Sequence, residues 1–118
     1  MEENIVIDKI EFLRDELSLG EMLASLAEES AELAQAALKL RRAYDGSNPT
    51  PKSYLECLLN LEEEIGDVSN VISVLFWGDV IGDKAFFLAN PEKITRWAER
   101  IKERNEAKKE TVYAGNKG

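Results

Sequence analysis

An all-α fold, four helices arranged as a bundle, is what this 118-residue sequence predicts. Two observations carry that expectation. Apolar residues recur every three or four positions through most of the chain, the period of a helix with one buried face, and no stretch alternates as a half-buried strand does. Capping and breaking residues then divide the periodic sequence into four segments. No internal repeat or low-complexity segment competes with this division.

The first helix is predicted from about Ile5 to Leu17, with Ile5, Ile10, Phe12, Leu13 and Leu17 as its apolar positions. Ser18 then starts a second helix, because Glu21 three residues later completes a capping box. That helix continues through Leu40 to about Tyr44, where Asp45-Gly46 supplies the left-handed residue that ends it. Thr50-Pro51 restarts the helical pattern, threonine as N-cap and proline at the first helical position. The third helix runs to about Trp77, after which Gly78-Asp79 and Gly82-Asp83 weaken the pattern. Asn90-Pro91 repeats the cap-plus-proline signal and opens a fourth helix to about Lys109. Residues 1–110 therefore read as a single helical domain, and the aperiodic segment from Thr111 to Gly118 as a flexible, frayed tail.

A chain of this length supports one domain with a modest core, burying about two-thirds of its unfolded surface. The formal net charge of -8 disfavours nucleic acid and anionic membrane as main partners. It leaves anionic small molecules open, since a bound cation inverts the local field. No apolar run approaches the ~20 residues of a membrane span. The acidic N-terminus, Met1-Glu2-Glu3-Asn4, lacks a signal-peptide layout, so a cytoplasmic location is expected. Cys57 is the single cysteine, which rules out an intrachain disulfide and reads as a small buried hydrophobe. The chain has no histidine, which removes the Ser-His-Asp triad, the imidazole base, His-ligated zinc and the Glu-x-x-His di-iron bundle. Carboxylates remain as metal ligands and general bases.

Two acidic patterns then stand out, Glu28-Glu29-Ser30-Ala31-Glu32 and Glu64-Ile65-Gly66-Asp67. Each places a carboxylate pair at i, i+3 spacing, so that both members leave the same side of a helix. On the second helix, Leu19, Leu23, Leu26, Leu33, Ala34 and Ala37 share a face; Glu29 lies at its edge between Met22 and Ala36, with Glu32 just beyond. On the third helix the stripe is Leu61, Ile65, Val68, Ile72 and Leu75. Glu64 falls inside its border beside Cys57 and Val71, and Asp67 lies next to it. Glu28, Glu62 and Glu63 point away, as a solvated acidic surface does. Charged groups at an apolar border are costly unless paired or bound to metal. Four carboxylates facing each other across a helix hairpin repel unless a cation lies between them, and hard oxygen ligands suit Mg²⁺ carrying a substrate phosphate. Gly66, a glycine inside a helix, is expected to mark close approach of another helix or a ligand.

These residues resemble the signature of the MazG-like, all-α nucleoside triphosphate pyrophosphohydrolases. Glu28-Glu29-x-x-Glu32 and Glu64-x-x-Asp67 match its paired acidic motifs, and the words LAEESAELAQAALKL and LEEEIGDVSNVISVL are similar to its two metal-binding helices. Lys93-Ile94-Thr95-Arg96, with Arg100 a turn later, resembles a basic segment of some members. The resemblance covers about Leu19 to Ile101. It implies a MazG-type helical architecture and Mg²⁺-dependent hydrolysis (Mn²⁺ substituting) between the α- and β-phosphates of a nucleoside triphosphate, deoxynucleotides included. It also implies a homodimer or homotetramer. Glu29, Glu32, Glu64 and Asp67 would bind the metal, and one acid among Glu28, Glu29 and Glu32 would help activate water. The segment between the acidic motifs is longer than the family's usual, and the glutamine often upstream of the first motif is not evident.

Several readings stay open at this level. Lys93, Arg96 and Arg100 share a helix face and either grip the outgoing pyrophosphate or pair with Glu92, Glu99 and Glu103 on the surface. Asn70, one turn after Asp67, either touches substrate or is a polar surface residue. Phe76, Trp77 and Trp97 either stack on a base or pack. Two other functions compete with the first: a phosphoribosyl-ATP pyrophosphohydrolase, which has a related helical fold, and a non-catalytic helical interaction module.

Overall fold

Capping chemistry sets the ends of four α-helices in the computed structural model, which describes residues 2–46, 52–83 and 91–117. They are α1 (Glu2–Glu16), α2 (Leu19–Asp45), α3 (Tyr54–Trp77) and α4 (Pro91–Lys117). Among the described residues there is no strand, as the periodicity requires. No helix is long and apolar enough to cross a membrane among these residues.

The α1–α2 junction forms as its sequence dictates. The Ser18 hydroxyl accepts from the Glu21 backbone N–H at 3.1 Å, and the Ser18 N–H donates back to the Glu21 carboxylate at 2.9 Å. At the other end of α2, Gly46 takes φ 66°, a left-handed conformation that costs glycine nothing, and its N–H donates to the Arg42 carbonyl. The start of α3 differs from expectation. Thr50 and Pro51 lie outside the described residues, and the cap is Ser53, whose hydroxyl accepts from the Glu56 N–H at 3.2 Å. Ser53 also stands three residues before a glutamate, so local hydrogen bonding favours it as the cap. α4 begins at Pro91 as predicted; Asn90 lies outside the described residues. It then continues to Lys117 instead of stopping near Lys109, so the segment read as a frayed tail is helical.

The chain divides into two compact units, Met1–Asp83 and Lys84–Gly118. The first is a three-helix arrangement in which α3 packs against both α2 and α1. Its core cluster is Met22, Val74 and Leu75, with Ile10 and Leu17 of the α1 end and Leu26 and Val71 packed around it. α4 lies in the second unit.

The buried face of α2 is rotated from the leucine stripe. Met22 and Ala36 are buried, whereas Leu19 and Leu23 are exposed. On α3 the buried residues are Cys57, Val74 and Leu75, and Ile65 of the expected stripe is exposed. Two sets of inward or half-buried positions fall at a seven-residue spacing, Met22–Glu29–Ala36 and Cys57–Glu64–Val71, which returns to nearly the same side of a helix every two turns. Both spacings pass through an acid.

Among the described residues no other helix approaches Gly66 closely: a Cβ built there meets nothing within 4 Å. It is an exposed glycine in a helix interior, where its conformational freedom only costs stability. Gly66→Ala should therefore stabilise the protein by roughly 0.5–1 kcal/mol, read as a higher urea midpoint at unchanged slope. A loss of stability would mean that something packs on this turn.

Candidate metal centre

Glu29 and Glu64 occupy inward positions that an apolar residue would ordinarily fill. Two turns from Glu29 lie Met22 and Ala36, 6% and 1% exposed; two turns from Glu64 lie Cys57, 2% exposed, and half-buried Val71. Both glutamates are themselves half-buried. Asp67, one turn along α3, is half-buried too. The antiparallel approach of the two helices brings one carboxylate oxygen from each of Glu29, Glu64 and Asp67 within 4.8 Å of one another. Oε2 of Glu29 and Oε2 of Glu64 are shut off from solvent and have no hydrogen-bond partner.

The electrostatics follow from that geometry. Loss of water around Glu29 holds its carboxyl above the usual glutamate range, and the charges of Glu32, Asp67 and Glu28 push the same way. Glu64 is raised for the same first reason, with Glu32, Asp67 and Glu29 adding to it. Glu32 is exposed but within hydrogen-bonding reach of both glutamates. A hydrogen bond between two carboxyl groups exists only when one carries a proton. Without a cation, burial and mutual repulsion both favour the protonated forms of Glu29 and Glu64.

The donor set suits a hard divalent cation. The candidate ligand atoms are all carboxylate oxygens, they converge from two helices, and Glu29 and Glu64 each also carry a buried oxygen without a hydrogen-bond partner. Glu29, Glu64 and Asp67 form the close triad, and Glu32 stands beside it. Glu28 is exposed at the adjoining position, near enough to act on Glu29 through its charge.

The remaining sequence candidates are placed as follows. Asn70 is exposed and lines a cleft between α1, α2 and α3. Lys93, Arg96 and Arg100 are exposed on α4, in the second unit. Phe76 is half-buried; Trp77 and Trp97 are exposed. Reading the sequence missed the cleft residues Lys9, Ser25 and Ser73, which belong to no motif and become neighbours only when α1 docks. The seven-residue spacing through each acid was the signal that could have placed Glu29 and Glu64 fully inward. Compared with known protein families, curated proteins and solved structures, the chain matches none.

Proposed function

We propose that this protein is a Mg²⁺-dependent nucleoside triphosphate pyrophosphohydrolase of the MazG type, adding water across the bond between the α- and β-phosphates to give a nucleoside monophosphate and pyrophosphate. The observation that supports it most is the convergence of Glu29, Glu64 and Asp67, with two orphaned carboxylate oxygens, on the core side of a helix pair. A structural cluster would be expected to contain cationic side chains; the groups that act most on Glu29 and Glu64 are all carboxylates. The cation would supply Lewis-acid stabilisation of phosphate oxygens and a more acidic water.

The protein's part is positioning and charge. Glu29, Glu64 and Asp67 would hold the cation, with Glu32 completing the set. One acid of the first motif, Glu28, Glu29 or Glu32, would accept a proton from the attacking water. Lys93, Arg96 and Arg100, exposed on α4, are proposed as phosphate-binding groups in their own right, arginine through its planar fork. Little covalent work is left for side chains in phosphoryl chemistry of this kind.

The test is pyrophosphate release from a panel of ribo- and deoxynucleoside triphosphates and phosphoribosyl-ATP, with and without Mg²⁺. Release from nucleoside triphosphates only with Mg²⁺ is the expected outcome. Release confined to phosphoribosyl-ATP assigns the rival enzyme, and no release from any member assigns an interaction module.

Self-association is part of the proposal. Leu19 and Leu23 of α2 and Leu55, Leu59 and Ile65 of α3 are exposed, more large apolar surface than a small soluble unit ordinarily presents. Sedimentation should give a dimer or tetramer at micromolar concentration, and a monomer would contradict this.

A further inference from the structure

Beside the acids, α1, α2 and α3 enclose an open cleft of about 360 Å³. That volume falls within the range of about 300–1,000 Å³ typical of small-molecule sites. Its walls are mostly apolar, with Ile10 and Leu13 contributed by α1. Four polar side chains interrupt them: Lys9, Ser25, Asn70 and Ser73. Among the described residues no carboxylate lines the cleft, and Lys9 is its one charged lining residue.

Two of the polar residues fix where the cleft begins. Ser25 precedes Glu29 by four residues on α2, and Asn70 follows Asp67 by three on α3. Each therefore stands on the same helix face as a carboxylate of the cluster, one turn or about 5.4 Å away along the axis. The cleft continues the acid cluster along the α2–α3 pair toward α1. Chemical character changes along that line, from carboxylates to neutral hydrogen-bonding groups to an apolar recess. A ligand filling both ends carries phosphates at one end and an uncharged, largely apolar ring at the other.

We propose that the cleft receives the nucleobase of the substrate, with Ser25 and Asn70 reading its polar edge. The proposal rests on the reading of the acid cluster as the metal and phosphate site. A serine hydroxyl and an asparagine amide each offer a donor and an acceptor, which matches the mixed edge of a base. The apolar walls cover ring faces. Ser73 donates its hydroxyl to the Ser69 carbonyl at 3.0 Å, so its proton is not available to a ligand. A phosphate has no place there, because a single exposed lysine in an apolar recess compensates little of its charge.

Filling the cleft tests this on the full chain. Ser25→Leu and Ser73→Leu each add an apolar side chain to the recess from a different helix, and circular dichroism identifies the variants that keep their helices. Affinity is measured in Mg²⁺ for two probes: inorganic tripolyphosphate, and the tightest-binding common nucleoside triphosphate. The folded variants should lose at least about tenfold in nucleotide affinity, the low end of what a changed contact in an apolar pocket costs, while tripolyphosphate binding is retained. Unchanged nucleotide affinity in the folded variants overturns the cleft assignment and leaves the metal site standing. If wild-type protein binds neither probe in Mg²⁺, the reading of the acids fails, and the cleft assignment falls with it. Asn70→Ala refines the result: base preference across the nucleotide panel should flatten, which a purely structural role for Asn70 would not cause.

Discussion

Glu64→Gln should lower Mg²⁺-dependent turnover by on the order of 10²–10³-fold, the scale on which loss of one charge-stabilising group is felt in an active site, while helix content stays close to wild type. The substitution is nearly isosteric, so the packing between Cys57 and Val71 is preserved. What changes is the inward group: a carboxylate with an orphaned Oε2 becomes a neutral amide that binds a hard cation poorly. Glu62→Gln is the control, since Glu62 is exposed on the same helix and outside the triad. Full activity in Glu64→Gln would remove Glu64 from the site. Equal losses in both variants would point to a general charge effect.

The same variant should reverse its stability ranking when the cation is added. Glu29 and Glu64 are both held above the ordinary glutamate value of about 4.5 in the folded protein. Above that value the folded state therefore binds more protons than the unfolded state. Stability then falls as pH rises from about 4.5 through the raised folded values. In metal-free buffer near neutral pH, the wild type bears the cost of confining one more acid in the cluster than Glu64→Gln does. The variant should be the more stable of the two there, and the difference should shrink as pH falls toward 4.5. Saturating Mg²⁺ acts in the opposite direction: a ligand at a hundred times its dissociation constant stabilises the folded state by about 2.7 kcal/mol. Wild type should gain that and Glu64→Gln little of it. Urea denaturation at two pH values, with Mg²⁺ and with chelator, measures all four conditions. A wild type that is more stable than the variant without metal would show that the acids are satisfied by something other than a cation.

Local chemistry made much of the fold legible. The Ser18–Glu21 capping box, the Gly46 stop and the Pro91 start each depend on residues within one turn, and each forms at its expected position. The start of α3 was harder, because Thr50-Pro51 and Ser53 offer competing cap signals three residues apart and the serine forms the cap. The buried face of α2 was misplaced for a different reason. Leucines at positions 19 and 23 outweigh Met22 and Ala36 on any hydrophobicity scale, yet a helix buries the side that its neighbours contact, and α3 contacts the smaller residues. The i, i+3 spacing put Glu29 with Glu32 and Glu64 with Asp67 on common faces. It could not set the register between the two helices, which depends on the intervening loop and on packing. That register selects Glu29, Glu64 and Asp67 as the close triad and leaves Glu32 at its edge. The cleft was illegible because nothing in the α1 sequence marks Lys9, Ile10 or Leu13 as a wall for a ligand.

The central claim is that the inward acids of α2 and α3 exist to hold a divalent cation. Anomalous diffraction from crystals of the protein grown with Mn²⁺ tests it most directly, since Mn²⁺ accepts the same oxygen ligands as Mg²⁺. The account predicts an anomalous peak enclosed by Glu29, Glu64 and Asp67, with Oε2 of Glu29 and of Glu64 among its ligands. No peak at that position under saturating Mn²⁺, with the glutamates instead sharing protons through carboxyl–carboxylate hydrogen bonds, would contradict it.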